Sequence, residues 1–168
     1  MTIHTENPFA EPPDPVRRFR GRLGGAVTLW TSGEGRDRAG LTVSSVMVAN
    51  GTPAAIVALV DPDSDLIDSI ERSRRAVVHL LRGADRDLAE AFGGQGPAPG
   101  GPFRLREWTQ TSAGPALPDR SLAKVRLERS EAVGWSRLVV ATIEEIALVE
   151  DGDGLEHRRG RYRRTDED

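Results

Sequence analysis

Three hydroxyl side chains fall within four residues in the run Leu41-Thr42-Val43-Ser44-Ser45-Val46. Leu41 and Val43 share one parity, Val46 and Val48 the other, so the apolar phase breaks at Ser44-Ser45. A one-residue phase change in a strand marks a bulge or bend. Such a bend offers hydroxyls and kinked backbone N–H groups to a planar polar ligand. A plain edge strand with outward polar residues is the competing reading.

The second chemical feature is the basic run His157-Arg158-Arg159-Gly160-Arg161-Tyr162-Arg163-Arg164. On a single strand, Arg159, Arg161 and Arg163 share one face, and Arg158, Tyr162 and Arg164 the other. Guanidinium groups so arrayed suit the phosphate of a nucleotide. They also serve to blunt a solvated sheet edge. A nucleic-acid role is disfavoured by the acidic remainder of a chain whose net charge is -3.

Other chemistries are excluded or weak. The chain has no cysteine, which removes disulfides, thiolate zinc sites and a cysteine nucleophile. His4, His79 and His157 lack a second ligand at metal-site spacing, so no metal is assigned. The loop Gly93 to Pro102 follows a helical segment, and its prolines lack the N–H groups of a phosphate cradle; it reads as flexible. Glu144 and Glu145 are adjacent on a strand and point to opposite faces, a poor acid/base pair.

The elements that must position these residues are mostly strands. Gly25 to Thr31, Leu41 to Ala49, Ala54 to Val60, Ala76 to Leu81, Ser121 to Arg129, Arg137 to Val149 and Leu155 to Arg163 all read as strands. Ala54 to Val60 is apolar without alternation, which predicts burial on both faces. A parity slip near Glu144-Glu145 predicts a bulge. Asp63 or Ser64 caps a helix running to about Ser73, and a second short helix covers Asp85 to Phe92. Thr109 to Arg120 reads as irregular. Two architectures fit: a β-barrel with helices at its ends, or a parallel α/β sheet built on residues 54 to 81. The barrel is preferred, because the second half is nearly all strand and the 24–60 region reads as hairpins.

At 168 residues the chain fits one domain. Residues 1–15, with four prolines, form an arm; 16–164 form the domain; 165–168 are an acidic tail. No apolar run approaches the roughly 20 residues of a membrane helix, and the polar N-terminus lacks a signal-peptide pattern. The expectation is a cytoplasmic protein with no membrane or nucleic-acid partner.

Taken in order, the motifs resemble those of the flavin reductase-like, FMN-binding split-barrel family. They are Gly40-Leu41-Thr42-Val43-Ser44-Ser45, Pro53 before AAIVALV, Ser64 in DPDSD, AVVHLL at 76–81, DLAEAFGG at 87–94, and Gly114-Pro115-Ala116-Leu117. The chain closes on His157-Arg158-Arg159-Gly160-Arg161-Tyr162, similar to the family's H-x-R-G-x-Y. The resemblance implies a mainly β, Greek-key-like, six-stranded antiparallel split barrel that forms a homodimer and binds FMN, or FAD. It implies an NAD(P)H-dependent flavin reductase, possible partner of a monooxygenase; a non-catalytic flavin-binding protein on the same scaffold is the alternative. Thr42, Val43, Ser44, Ser45 and Val46 would meet the flavin ring. Asp63, Ser64 and Asp65 would approach its phosphate, and His157, Arg161 and Tyr162 would complete the site. The chain departs from the family at three places: acidic residues surround Ser64, His79 replaces an asparagine, and Trp135-Ser136 stand where a G-D-H histidine is common. His79 is expected to be a core histidine bonded to backbone.

Overall fold

The structure, a computed structural model, describes residues 14–150 and 152–165 of the chain. Most of the expected arm and tail therefore lies outside the described residues. The expected strands form, with revised ends. They are β1 (Gly25–Ala26), β2 (Thr28–Ser32), β3 (Ala39–Val43), β4 (Val46–Ala49), β5 (Ala55–Val60), β6 (Arg75–Leu80), β7 (Thr109–Thr111), β8 (Gly114–Ala116), β9 (Leu122–Val133), β10 (Ser136–Ala147), β11 (Leu155–Arg158) and β12 (Arg161–Arg164). Three helices accompany them: α1 (Pro15–Leu23), α2 (Asp65–Ser73) and α3 (Arg86–Phe92).

The main sheet has the order β3-β2-β6-β9-β10-β5-β4, with every pair antiparallel. Its two edges, β3 and β4, are the two halves of one segment bent at Ser44-Ser45. One segment thus pairs with β2 at one end and β5 at the other, so the sheet curls into a barrel. Counting the bent segment once gives six strands, as the resemblance implied. The parallel α/β alternative fails because β5 and β6 are not neighbours; each pairs antiparallel with other strands.

The barrel is filled by Trp30, Val43, Ile56, Ala58, Val60, Val78, Val125, Leu127, Val139 and Ala141. Helix α2 plugs one end. Its apolar residues Leu66, Ile67 and Ile70 recur on one face and are all buried in this core. Arg74 ends the helix in the left-handed region, at φ 64°, and its N–H bonds Ile70 O at 2.7 Å. A second apolar cluster lies outside the barrel wall. There Leu29, Leu81, Leu88 and Phe92 pack with Leu117, Leu155, Trp108 and Tyr162.

Four local readings are corrected. β5 is not buried on both faces: Ile56, Ala58 and Val60 point inward, while Leu59 is 40% exposed. A barrel strand has one interior face, and nothing in the described residues covers the other. Leu155 to Arg163 is a hairpin rather than one strand, because Arg159 and Gly160 take positive φ and reverse the chain. Arg161 consequently lies opposite Arg158, and Tyr162 opposite His157. Thr109 to Arg120 contains the small hairpin β7–β8. Helix α1 was missed, although Asp14 caps it by accepting the Val16 N–H at 2.9 Å, Pro15 opens it and Gly24 closes it. The bulge near Glu144 is present between Ile143 and Glu145.

Candidate functional site

The bend at Ser44-Ser45 is clamped on both sides. Before it, the Val43 side chain is buried and its carbonyl accepts the Thr28 hydroxyl at 2.6 Å. Thr28 Oγ1 in turn accepts the Trp30 indole N–H at 3.1 Å. The Thr42 hydroxyl donates to Ala89 O on α3 at 2.7 Å. Its proton is therefore committed within the protein, so of the Thr-Ser-Ser set Thr42 keeps only acceptor capacity. After the bend, Ser45 O accepts the Leu59 N–H at 3.0 Å. Ser44 is left half-buried, Ser45 exposed and Val46 half-buried between these anchors.

One flank of the bend is the N-terminal strand. A Cβ placed on Gly25 would lie 2.5 Å from Ser44 O, so the β1 backbone runs against the bend at a distance only glycine permits. Gly25 pairs with His157, and the His157 ring meets the Tyr162 ring at 5.3 Å, edge to face. The Tyr162 hydroxyl points to Ala89 O at 3.5 Å, the same carbonyl that Thr42 uses. Burial, and then the charge of Arg20, keeps the His157 imidazole below its ordinary pKa.

The other flank is the start of α2. The pairing of Val46 with Ala58 is continued by the Ser45–Leu59 bond, one residue short of the end of β5. The turn Asp61–Ser64 follows directly. Asp61 Oδ1 accepts the Asp63 N–H at 2.9 Å, and the Ser64 hydroxyl donates to Asp61 O at 2.7 Å. Ser64 Oγ also accepts the Ile67 N–H at 3.4 Å, which makes Ser64, and not Asp63, the N-cap of the two candidates read from sequence. Helix geometry leaves the earliest N–H groups of α2 without intrahelical partners, a favourable environment for an anion. Asp63 and Asp65 are exposed, and no ion pair among the described residues reaches either of them.

The fold thus brings Gly25 against Ser44 and pairs Gly25 with His157, whose ring meets Tyr162, while Ser64 lies beyond β5, the strand that pairs with β4. Arg161 is exposed at the hairpin turn and makes no ion pair among the described residues. It belongs to a basic module in which the hairpin is bonded to α1 through Arg159 N–H to Gly21 O at 2.8 Å. Residues 14–24 and 155–165 hold nine arginines against Asp14 and Glu156. Among the described residues only Arg164 of the nine is in an ion pair, with Asp153 at 3.3 Å.

His79 is a core histidine, as expected. One ring nitrogen, Nδ1, donates to Leu29 O at 2.9 Å, and Nε2 accepts the Leu117 N–H at 3.0 Å. Burial lowers its pKa to about 4. Sequence reasoning missed the buried carboxylate of Asp85, which Arg120 grips with two bonds of 2.7 Å. Burial alone would raise the Asp85 pKa; the bonds from Arg120 and the Arg82 N–H hold it below the ordinary range. Thirty-four residues separate the partners, and no local pattern announces such a pair.

The model of the flavin reductase-like domain matches residues 20–166. The chain belongs to this family. Among characterised relatives, the reductase component of 4-hydroxyphenylacetate 3-monooxygenase from Pseudomonas aeruginosa is 25% identical over 142 residues, covering 83% of this chain and 84% of that protein. An FMN reductase (NADH) from Stutzerimonas stutzeri is 24% identical over 155 residues, covering 90% and 88%. The NADH:FAD oxidoreductase of Streptomyces globisporus, solved with NAD and FAD fragments, superposes with a TM-score of 0.80 at 21% identity, covering 95% of this chain and all of that one. The fold is that of the flavin reductases: a curled antiparallel sheet with short helices. Among the described residues no helix is long and apolar enough to cross a membrane.

Proposed function

We propose that this protein binds FMN at the Ser44-Ser45 bend and oxidises NAD(P)H, delivering reduced flavin to a monooxygenase. The observation that carries the reading is the clamped bend, fixed at Val43 O and Ser45 O with a glycine backbone pressed against Ser44 O. The residues fit a flavin. A planar ring meets the backbone of Thr42 to Val46, where bonds to Thr28 and Leu59 fix the strand before any ligand arrives. The phosphate lies by Ser64 and the first amides of α2, while Asp63 and Asp65 flank it. Asp61, also exposed, accepts the Asp63 amide. His157 and Tyr162 border the opposite end, with Arg161 beyond them.

When bound, the flavin supplies hydride acceptance. The chain's own residues orient it: the buried Val43 and the Thr42–Ala89 bond prevent the strand from yielding, and burial disfavours a charge on His157. Reductase activity is separated from simple flavin carriage by one comparison. Purified protein titrated with FMN, then supplied with NADH or NADPH under air, oxidises the nucleotide only if it is the enzyme. Quenching of FMN fluorescence without nucleotide oxidation would support the carrier instead. FAD in place of FMN is judged in the same titration.

The protein acts as a homodimer in this reading. Met47 is 70% exposed and Leu59 40%, and both lie on the outer face of β4–β5 beside half-buried Val57, Leu138 and Val140. A contiguous outward apolar face is a self-association surface. Replacing Met47 and Leu59 together with Glu yields a monomer in light scattering; a parent protein that is already monomeric at micromolar concentration contradicts the dimer.

A further inference from the structure

Helix α1 is amphipathic the wrong way round for a helix packed on a core. Val16, Phe19 and Leu23 recur at i, i+3 and i+7, so they form one stripe about 60° wide. All three are exposed, at 74%, 72% and 74%. Gly21 alone among the residues of α1 is half-buried, and it lies roughly 170° round the helix from the stripe. That is the side by which the helix is attached. Gly21 O accepts the Arg159 N–H at 2.8 Å, and a Cβ on Gly21 would lie 3.7 Å from Arg159 Cα. The glycine side rests on the hairpin turn, and the apolar stripe faces away from the domain.

The stripe is set in positive charge. Arg20 and Arg22 flank it on either side, Arg17 and Arg18 lie farther round, and α1 contains no acidic residue. In the hairpin register Arg158, Arg161 and Arg163 share a face with Glu156, turned away from buried Leu155. None of these guanidinium groups is in an ion pair among the described residues. The whole chain has a net charge of -3, so the rest of the molecule is acidic and the fold concentrates cations here.

We propose that α1 docks on the surface of a bilayer containing anionic lipid. The inference goes beyond the flavin reading and does not depend on it. A helix that lies in the membrane interface has Phe or Leu on one face, arginines around it and low overall hydrophobicity, which describes PVRRFRGRL. The stripe sinks below the headgroups, while the arginines extend their stems beside it and leave their charges at the phosphates. Three apolar side chains bind a neutral bilayer weakly, so attachment needs both the stripe and the charge. A second copy covering the stripe with the same face would set one arginine cluster on another. A groove in a protein would need carboxylates placed on both sides of a protruding helix, whereas a sheet of headgroups meets the guanidiniums in any arrangement. The expectation of no membrane partner rests on the lack of a membrane-spanning run, which does not bear on a helix lying in the interface.

Co-sedimentation of the full chain with vesicles tests the proposal, using phosphatidylcholine alone or equal parts phosphatidylcholine and phosphatidylglycerol. Partitioning to the mixed vesicles is expected to be at least tenfold stronger than to phosphatidylcholine alone, and to weaken by a similar factor when added salt shortens the Debye length. Phe19→Ser with Leu23→Ser, and separately Arg20→Gln with Arg22→Gln, should each weaken it at least fivefold. All four side chains are exposed, so the thermal midpoint should stay near that of the parent and loss of binding is not loss of fold. Phe19→Trp places a probe in the stripe, and its emission should shift to the blue on mixed vesicles. No partitioning by the parent overturns the proposal and leaves the stripe to a protein. Binding lost with the arginines but kept without Phe19 and Leu23 also overturns it, since charge alone would then hold the surface. Oligomers of the parent in light scattering that dissociate in Phe19→Ser/Leu23→Ser would put a second copy on the stripe, which overturns it as well.

Discussion

His79 Nε2 accepts the backbone N–H of Leu117 at 3.0 Å while Nδ1 donates to Leu29 O, so one neutral imidazole joins β2 to the segment after β8. This needs the tautomer with the proton on Nδ1. Protonating Nε2 would abolish its acceptor and place a charge in the core.

The consequence is an acid-sensitive fold. The His79 pKa is about 4 folded against 6.5 in the free side chain, so the unfolded chain binds the extra proton between those values. Stability from this residue is fully present above about pH 6.5 and is lost as pH falls toward 4. The shift corresponds to about 3 kcal/mol. Asp85 acts in the same direction at lower pH, because its folded pKa is also depressed. Urea midpoints between pH 7.5 and 4 should fall steeply in the parent. His79→Gln, which keeps a polar group without titrating there, should flatten the upper part of that curve. An equal slope in both proteins would contradict the assignment.

The Asp85–Arg120 pair is expected to cost more to halve than to remove. Arg120→Met leaves a fully buried carboxylate with only the Arg82 amide at 2.9 Å and Arg106 at 3.5 Å. The loss should be about 3–5 kcal/mol, whereas the double variant Asp85→Leu/Arg120→Met should lose less than either single change. A double-mutant cycle by chemical denaturation measures the coupling. Additive losses would mean that the two side chains do not act as a unit.

The strand bend was legible because a period-2 pattern cannot change phase without a local irregularity, and Leu41, Val43, Val46 and Val48 record that change. The α2 cap was legible because Ser64 follows Pro62 and precedes the periodic Leu66, Ile67 and Ile70. β5 misled because its outward Val57 and Leu59 are as apolar as its inward residues; composition does not say whether another layer covers a face. The last hairpin was hidden for another reason. Its turn uses Arg159 at φ 52°, a residue rarely held in the left-handed region, and only Gly160 marked it. Asp85 with Arg120, and Gly25 with Ser44, are meetings of distant segments that no local spacing encodes.

Ser64→Asp separates cap from phosphate site. Aspartate is as good an N-cap as serine, so α2 and the fold should be retained. The added carboxylate would join Asp63 and Asp65 beside the flavin phosphate. FMN affinity should drop more than tenfold, which is over about 1.4 kcal/mol. Fluorescence titration measures the affinity, and circular dichroism verifies the helix. Unchanged affinity in a folded variant would move the phosphate away from α2.

Gly25 provides the most local test of the bend. Its backbone approaches Ser44 O so closely that a methyl group would sit 2.5 Å from that oxygen, and the oxygen belongs to backbone rather than to a side chain that could rotate away. Gly25→Ala must therefore displace either β1 or the bend. β1 is only two residues long and is held by pairing with Glu156 and His157, whereas the bend is fixed by Val43 O and Ser45 O. The weaker element should yield, carrying His157 away from Ser44. The expected loss of stability is about 1–3 kcal/mol, as for overpacking elsewhere, with FMN binding weakened at least tenfold even where the variant is fully folded. The neighbouring Gly24→Ala serves as comparison: Gly24 has φ 67° and its methyl would lie 3.3 Å from His157 O, not against the bend. It should lose stability through backbone strain but affect FMN affinity less than Gly25→Ala. If both variants bind FMN like the parent, the glycine backbone against Ser44 is packing and not part of the flavin site.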